Sequence, residues 1–222
     1  MFPHSLAIMH PNPQIEIDMD HISRRNLLIG GAAVAIGATG LQASRSNNSP
    51  DNSGPPELLM QRARAAFDRH RAQFTHDDRI GVVDYAAHSG NARFFIINRA
   101  TGRSRPFLVS HGRGSDPSHS GYVQRFSNRP GSLASSAGTY LTARRYEGTH
   151  GASRRLQGLD PQNSNAEARA IVIHPAWYVG EDIVRQQGRV GRSEGCFAFA
   201  PTEIETILDQ LGAGRMIYVD KV

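Results

Sequence analysis

One cysteine, one lysine and one tryptophan in 222 residues set the first limits on this chain. A lone thiol, Cys196, excludes an internal disulfide framework and any paired-cysteine metal site. Lys221 is the only lysine, so the net charge of +5 rests almost wholly on arginine. That charge suits nucleic acid, an anionic membrane surface or an acidic wall polymer equally well, and by itself selects none of them. The uncharged stretch from Leu27 to Leu41 has 15 residues, short of the roughly 20 a bilayer-spanning helix needs. With 39% apolar and 20% charged residues, the composition lies outside the range of disordered chains and predicts a folded core. The length has room for one domain and some extra chain.

What is present at the N-terminus is an address. Ser23-Arg24-Arg25-Asn26-Leu27-Leu28 precedes a Gly- and Ala-rich run from Ile29 to Leu41, the pattern of a twin-arginine export signal. Cleavage after Ala43 would leave 179 residues with a net charge of +6. The expected destination is the periplasm, with inner-membrane anchoring only through an uncleaved signal. No cysteine lies nearby to accept a lipid. Residues 44–54, dense in Ser and Asn, read as linker, so the expected organisation is a signal over 1–43, linker and helix over 44–78, and the main domain over 79–222.

From Glu57, the positions Leu59, Ala63, Ala66, Phe67, His70 and Phe74 recur at spacings of three and four, predicting one amphipathic helix. Short apolar and β-branched runs follow at Ile80 to Tyr85, Arg93 to Asn98 and Arg105 to Ser110. Ser89-Gly90-Asn91 and Ala100-Thr101-Gly102 punctuate them, which predicts a three-stranded meander. The Gly-, Ser- and Pro-rich stretch from His111 to Ser136 is too long for a simple connector and is expected to frame a site. Further strands are predicted over Gly138 to Tyr146, Ala170 to His174 and Arg215 to Asp220. Thr202 and Glu205 have the spacing of a capping box ahead of Ile204, Ile207, Leu208 and Leu211. The expected class is mainly β with a few short helices.

The chemistry converges on Cys196. An unpaired thiol in an exported protein is a liability unless it is used. Its neighbours Gly191-Arg192-Ser193-Glu194-Gly195 are polar and flexible, unlike the apolar packing of an inert cysteine. Gly195 permits close approach of backbone to a substrate, and the Gly195 and Cys196 amides are expected to form an oxyanion hole. A thiol with an ordinary pKa near 8.5 needs a base. His174, at the end of the apolar run Ala170-Ile171-Val172-Ile173, is the expected one. No spacing of His, Cys or acidic residues makes a metal case.

Ile173-His174 together with Gly191-Arg192-Ser193-Glu194-Gly195-Cys196 resembles the YkuD-type L,D-transpeptidases of peptidoglycan. Ser110-His111-Gly112-Arg113-Gly114-Ser115, Phe126-Ser127-Asn128, Ser135-Ser136-Ala137-Gly138-Thr139-Tyr140 and His150-Gly151-Ala152-Ser153 resemble their divergent murein L,D-transpeptidase branch. The resemblance covers roughly Ile80 to Val219. It implies a β-sandwich or barrel-like fold, no cofactor, peptidoglycan stem peptides as partners and no nucleic acid. It also implies acyl transfer through a Cys196 thioester, with His174 as base and the stem's terminal D-Ala as leaving group. Arg192 is then the candidate for a substrate carboxylate, Ser193 for positioning the thiol or a water, and His111 and His150 for further substrate contacts. Two positions depart from the family motif: Glu194 stands in the place of its histidine, and Phe197-Ala198-Phe199 in the place of an Arg or Asn after the cysteine. An L,D-carboxypeptidase using water as acceptor, a non-catalytic wall-peptide-binding module and a thiol redox protein remain as alternatives; the last lacks a resolving cysteine.

Overall fold

A computed structural model describes residues 54–222; the expected export signal and nearly all of the linker lie outside them. The predicted first helix is α1, Glu57–Arg69, burying Leu59, Ala63, Ala66 and Phe67. It stops at His70, whose ring bonds Asp160 at 2.8 Å, and Phe74 folds back to stack on Phe67.

Eight strands form one sheet. They are β1 (Arg79–Asp84), β2 (Phe94–Asn98), β3 (Ser104–Phe107), β4 (Gly138–Gly148), β5 (Gly151–Gly158), β6 (Val172–Pro175), β7 (Phe197–Phe199) and β8 (Met216–Asp220). Their order is β3-β2-β1-β8-β4-β5-β6-β7. The predicted meander is the β3-β2-β1 edge; β1 with β8 and β6 with β7 are parallel.

Side chains alternate across the pleat, and the two faces bury different cores. Val83, Phe94, Ile96, Phe107, Ile173, Phe197, Phe199, Ile217 and Val219 pack together with Ile204, Ile207 and Leu208 of α3 (Ile204–Gln210). Ile80, Val82, Phe95, Ile97 and Met216 face the other way, onto α1. Gly81 belongs to the first face, where a Cβ would stand 3.0 Å from Phe94 and 3.1 Å from Ile217. Helix α1 is therefore part of the same packed body as the sheet.

Beyond β3 the chain crosses to the far end of the strand order. Ser110 donates its amide to the Ala198 carbonyl at 3.1 Å, and Gly112 forms a parallel bridge with Ser193. The two edges thus meet, giving the barrel-like character expected. The meeting lays the start of the long 111–136 stretch against the loop that carries Cys196.

Two strands and a helix escape the sequence pattern. Strand β5 holds Arg154 where alternation with Leu156 calls for an apolar residue; its guanidinium is buried and donates from its two Nη atoms to the carbonyls of Ala143 and Leu208. Strand β7 has three residues, and α2 (Glu181–Gln187) seven. The expected capping box does not form. Glu203 precedes α3 with no side-chain cap, and Glu205 is turned outward onto Arg145 at 2.7 Å.

Candidate active site

The parallel pairing of β6 with β7 builds the site. Ile173 lies beside Phe197 in the core, and His174 lies beside Ala198 on the opposite face. Cys196 precedes Ala198 by two residues, so strand alternation directs its side chain to the same side as His174. Both residues line one cleft of about 410 Å³, together with Arg113, His150, Arg169, Ala170, Tyr178, Arg192, Ser193 and Glu194.

His174 is buried, and its Nδ1 faces the Pro175 carbonyl at 2.9 Å. A carbonyl has no proton to give, so Nδ1 carries the hydrogen and Nε2 keeps the lone pair. Burial lowers the imidazole pKa from its usual value against the Pro175 bond, and the neighbouring His150 lowers it further. The imidazole is therefore neutral at physiological pH. His150 stacks on it, centroids 4.5 Å apart, from the hairpin between β4 and β5.

The Cys196 thiol is half-buried and donates to the Ala170 carbonyl at 3.4 Å. Burial pushes its pKa up; the Val172 amide pulls down, Glu194 pushes up and Arg169 pulls down. The resting pair is thus thiol and imidazole rather than a preformed ion pair. Ala170 reaches this contact in a left-handed conformation, φ 53°, a strained geometry for a residue with a Cβ. Burial, with the charges of Cys196 and Glu194, raises Tyr178 to about 12, which keeps its phenol a hydrogen donor.

The residues nominated from sequence divide. Cys196, His174, His150, Arg192 and Ser193 all line the cleft. Arg192 is braced from one side, donating to the carbonyls of Asp116 and Pro117. Ser193 is occupied as a turn hydroxyl: it donates to the Cys196 carbonyl at 2.7 Å and accepts the Gly195 amide at 3.1 Å. The Gly195 amide, expected to face an oxyanion, is therefore already engaged. What Gly195 contributes is its conformation, φ 117°, with a Cβ placed 2.7 Å from the Ala134 carbonyl. Gly195→Ala should cost about 1–3 kcal/mol and lower reactivity of the thiol; equal melting temperatures and alkylation rates for the two proteins would contradict this.

His111 is not brought to the cleft. It is fully buried, its Nδ1 accepting from Arg93 at 2.6 Å and its Nε2 facing Asp116 at 3.3 Å. Burial and the Arg93 charge lower it to about 3. Burial pushes the Asp116 carboxyl up, but the amides of Ser120 and Gly121 and the Ser120 hydroxyl outweigh that and hold it at about 2. This cluster fixes backbone: the His111 carbonyl accepts the Ser193 amide at 2.9 Å. Because folded His111 resists the proton that the unfolded chain accepts near pH 6.5, the contribution is full above that pH. Stability should decline from about pH 6.5 toward pH 3, by roughly 1.4 kcal/mol per pH unit per such histidine. Urea midpoints that stay flat from pH 7 to 4 would refute it.

Arg169 went unnoticed in the sequence. Its guanidinium binds the carbonyls of Ser127 (2.8 Å) and Ala134, ties the long stretch to the cleft, and places a positive charge near Cys196. Opposite it, Glu194 pairs with Arg113 at 2.6 Å at the solvent edge. Among 24 arginines no local pattern singles out one.

A lone thiol and a neutral imidazole line one cleft on a β-sheet, with the charge of Arg169 acting on the thiol, an arrangement suited to a cysteine nucleophile. The family model described as L,D-transpeptidase catalytic domain matches residues 55–219. The chain belongs to this family.

Solved structures similar to the chain include an L,D-transpeptidase from Mycobacterium smegmatis, at 16% identity, covering 64% of this chain and 58% of that one, TM-score 0.41. An L,D-transpeptidase from Stackebrandtia nassauensis follows at 12%, 67% and 58%, TM-score 0.40. L,D-transpeptidase 3 from Mycobacterium tuberculosis, in complex with a faropenem-derived adduct, matches at 12%, 65% and 60%, TM-score 0.42. The aligned part of the chain thus spans less than two thirds of these proteins. No curated protein sequence matches significantly.

Proposed function

We propose that this protein is an exported peptidoglycan L,D-transpeptidase acting through a Cys196 thioester. The observation that carries the reading is the shared cleft of Cys196 and His174, with the Nε2 lone pair of His174 left free by the Pro175 carbonyl. His174 Nε2 takes the thiol proton as sulfur attacks the carbonyl between the L-centre of diaminopimelate and the terminal D-Ala. The Tyr178 phenol and the Cys196 amide are the donors assigned to the developing oxyanion. His174 then returns the proton to the departing D-Ala amine, leaving a thioester. An amine from a neighbouring stem attacks that thioester, gives its proton to His174 and restores the thiol. Arg192, with one side of its guanidinium braced, binds a stem carboxylate, and His150 contributes to the peptide wall. The twin-arginine pattern ahead of the domain supports delivery to the periplasm, where this substrate lies.

Glu194 and Arg169 set the thiolate fraction from opposite sides. Glu194→Gln should move the alkylation midpoint of Cys196 to lower pH and speed labelling at pH 7.5 by about two- to fivefold, the range for an exposed charge. Arg169→Gln should move it to higher pH. Rates that ignore both charges would remove electrostatics from the account.

Incubation with a defined tetrapeptide muropeptide, read by mass, separates the reactions. A crosslinked dimer supports transpeptidation; a tripeptide alone indicates water as acceptor, the L,D-carboxypeptidase reaction; unchanged substrate defeats both.

A further inference from the structure

His150 lines the cleft with Cys196 and His174, carried on the exposed turn that joins β4 to β5. Its ring lies over that of His174, centroids 4.5 Å apart and planes inclined by 29°. Every other histidine in the described part of the chain has a ring nitrogen in a hydrogen bond with protein; among the described residues His150 has no such partner. An exposed imidazole held by stacking, at the edge of a catalytic cleft, keeps a basic nitrogen for a ligand or for solvent.

Resolving the thioester with an amine releases one more proton than His174 can carry. A primary amine titrates near the lysine value of about 10.4, so at pH 7.5 only about one molecule in a thousand is neutral. The acceptor therefore arrives as an ammonium and sheds one proton before it can attack. It sheds a second as the C–N bond forms, and that one passes through His174 to sulfur as the C–S bond breaks. The first proton needs a different base. Sulfur is acylated at this stage, and Arg113, Arg169 and Arg192 of the lining are permanent cations. Glu194 is paired with Arg113 at 2.6 Å. Tyr178, raised to about 12, holds its proton, and the Ser193 hydroxyl is engaged with the Cys196 carbonyl. His150 remains. Three guanidinium groups against one carboxylate also make the lining electropositive, which favours loss of a proton from a bound ammonium. Once protonated, His150 disfavours a proton on the ring stacked against it, so His174 stays neutral for the second transfer.

We infer that His150 is a second general base, dedicated to the acceptor: it takes the first proton of the incoming ammonium and releases it to solvent, while His174 carries the second to the thiolate. The inference rests on reading Cys196 as the thioester-forming nucleophile. Its consequence is selectivity. Water is neutral on arrival and needs no prior deprotonation, so His150 biases the thioester toward amines and away from hydrolysis.

The full chain, acylated by a defined tetrapeptide stem, partitions between crosslinked dimer and tripeptide. That ratio is read by mass for the unaltered protein, His150→Gln and His150→Phe, the last keeping an aromatic ring over His174. Both products come from one thioester, so changes in acylation or folding cancel in the ratio. At pH 7.5 the ratio should fall by about tenfold to a hundredfold in both variants. The deficit should close toward pH 9.5, where the neutral amine is about a hundredfold more abundant, and at pH 7.5 with methoxyamine as acceptor, an amine already neutral there. Equal ratios in all three proteins, a deficit that persists at pH 9.5 and with methoxyamine, or tripeptide as the sole product of the unaltered protein each overturn the inference and leave the thioester intact. An unaltered protein that forms no thioester defeats the catalytic reading itself.

Discussion

Cys196→Ala is expected to lower D-Ala release from tetrapeptide stems by at least about ten-thousandfold, with melting within about 2 °C of the unaltered protein. The size follows from mechanism: without sulfur there is no thioester, and the positioned groups that remain give only residual rate. The small change in stability follows from packing. The thiol is half-buried at the wall of an open cleft and donates weakly to the Ala170 carbonyl, so its removal empties no core cavity. A stable variant with substantial activity would mean that the chemistry lies elsewhere.

His174→Ala is expected to cost about a hundredfold to ten-thousandfold in acylation, the usual contribution of a positioned general base. Loss of stability alone would not produce its second signature. Burial keeps the imidazole neutral below its ordinary titration range, so in the unaltered protein the acid limb of the rate profile should fall below pH 6.5. With His174 absent that limb should disappear, leaving a rate that rises only as the thiol itself ionises. Because burial raises the thiol, this rise should come above the ordinary value near 8.5. A His174→Ala protein that keeps the acid limb would assign it to another group, His150 first among them.

These expectations show which parts of the site can be read in one dimension. Cys196 was legible because it is alone, and His174 because an apolar run delivers it. Helix α1 and the β1–β3 meander were legible because their apolar spacing matches the periods of helix and strand. Strand β5 was hidden by Arg154, whose guanidinium is buried through carbonyls contributed by β4 and α3; no alternation rule anticipates that. Arg169 was hidden for a related reason, since its partners Ser127 and Ala134 lie over 30 residues away. His111 illustrates the converse. Its flanking glycine and polar neighbours look like those of a site residue, yet Arg93 and Asp116 close over both ring nitrogens, and its effect on the cleft passes through the Ser193 backbone. The Gly195 amide was misassigned because the turn made by the Ser193 hydroxyl is a three-dimensional competitor for it.

The departures from the family motif now have physical settings. Glu194, in the place of a histidine, lies at the cleft edge on Arg113. The Phe197-Ala198-Phe199 run that replaces an Arg or Asn is a short strand with Phe197 and Phe199 in the core. The cation near the sulfur is instead supplied from outside the motif by Arg169.

Intact-protein mass spectrometry after brief mixing with a tetrapeptide stem tests the nucleophile and base together. An adduct equal to substrate minus alanine is expected, mapped to Cys196 by peptide digestion, absent in Cys196→Ala and strongly reduced in His174→Ala. A chain that turns over the stem with no adduct at Cys196, or that acylates equally well without the imidazole, would contradict it.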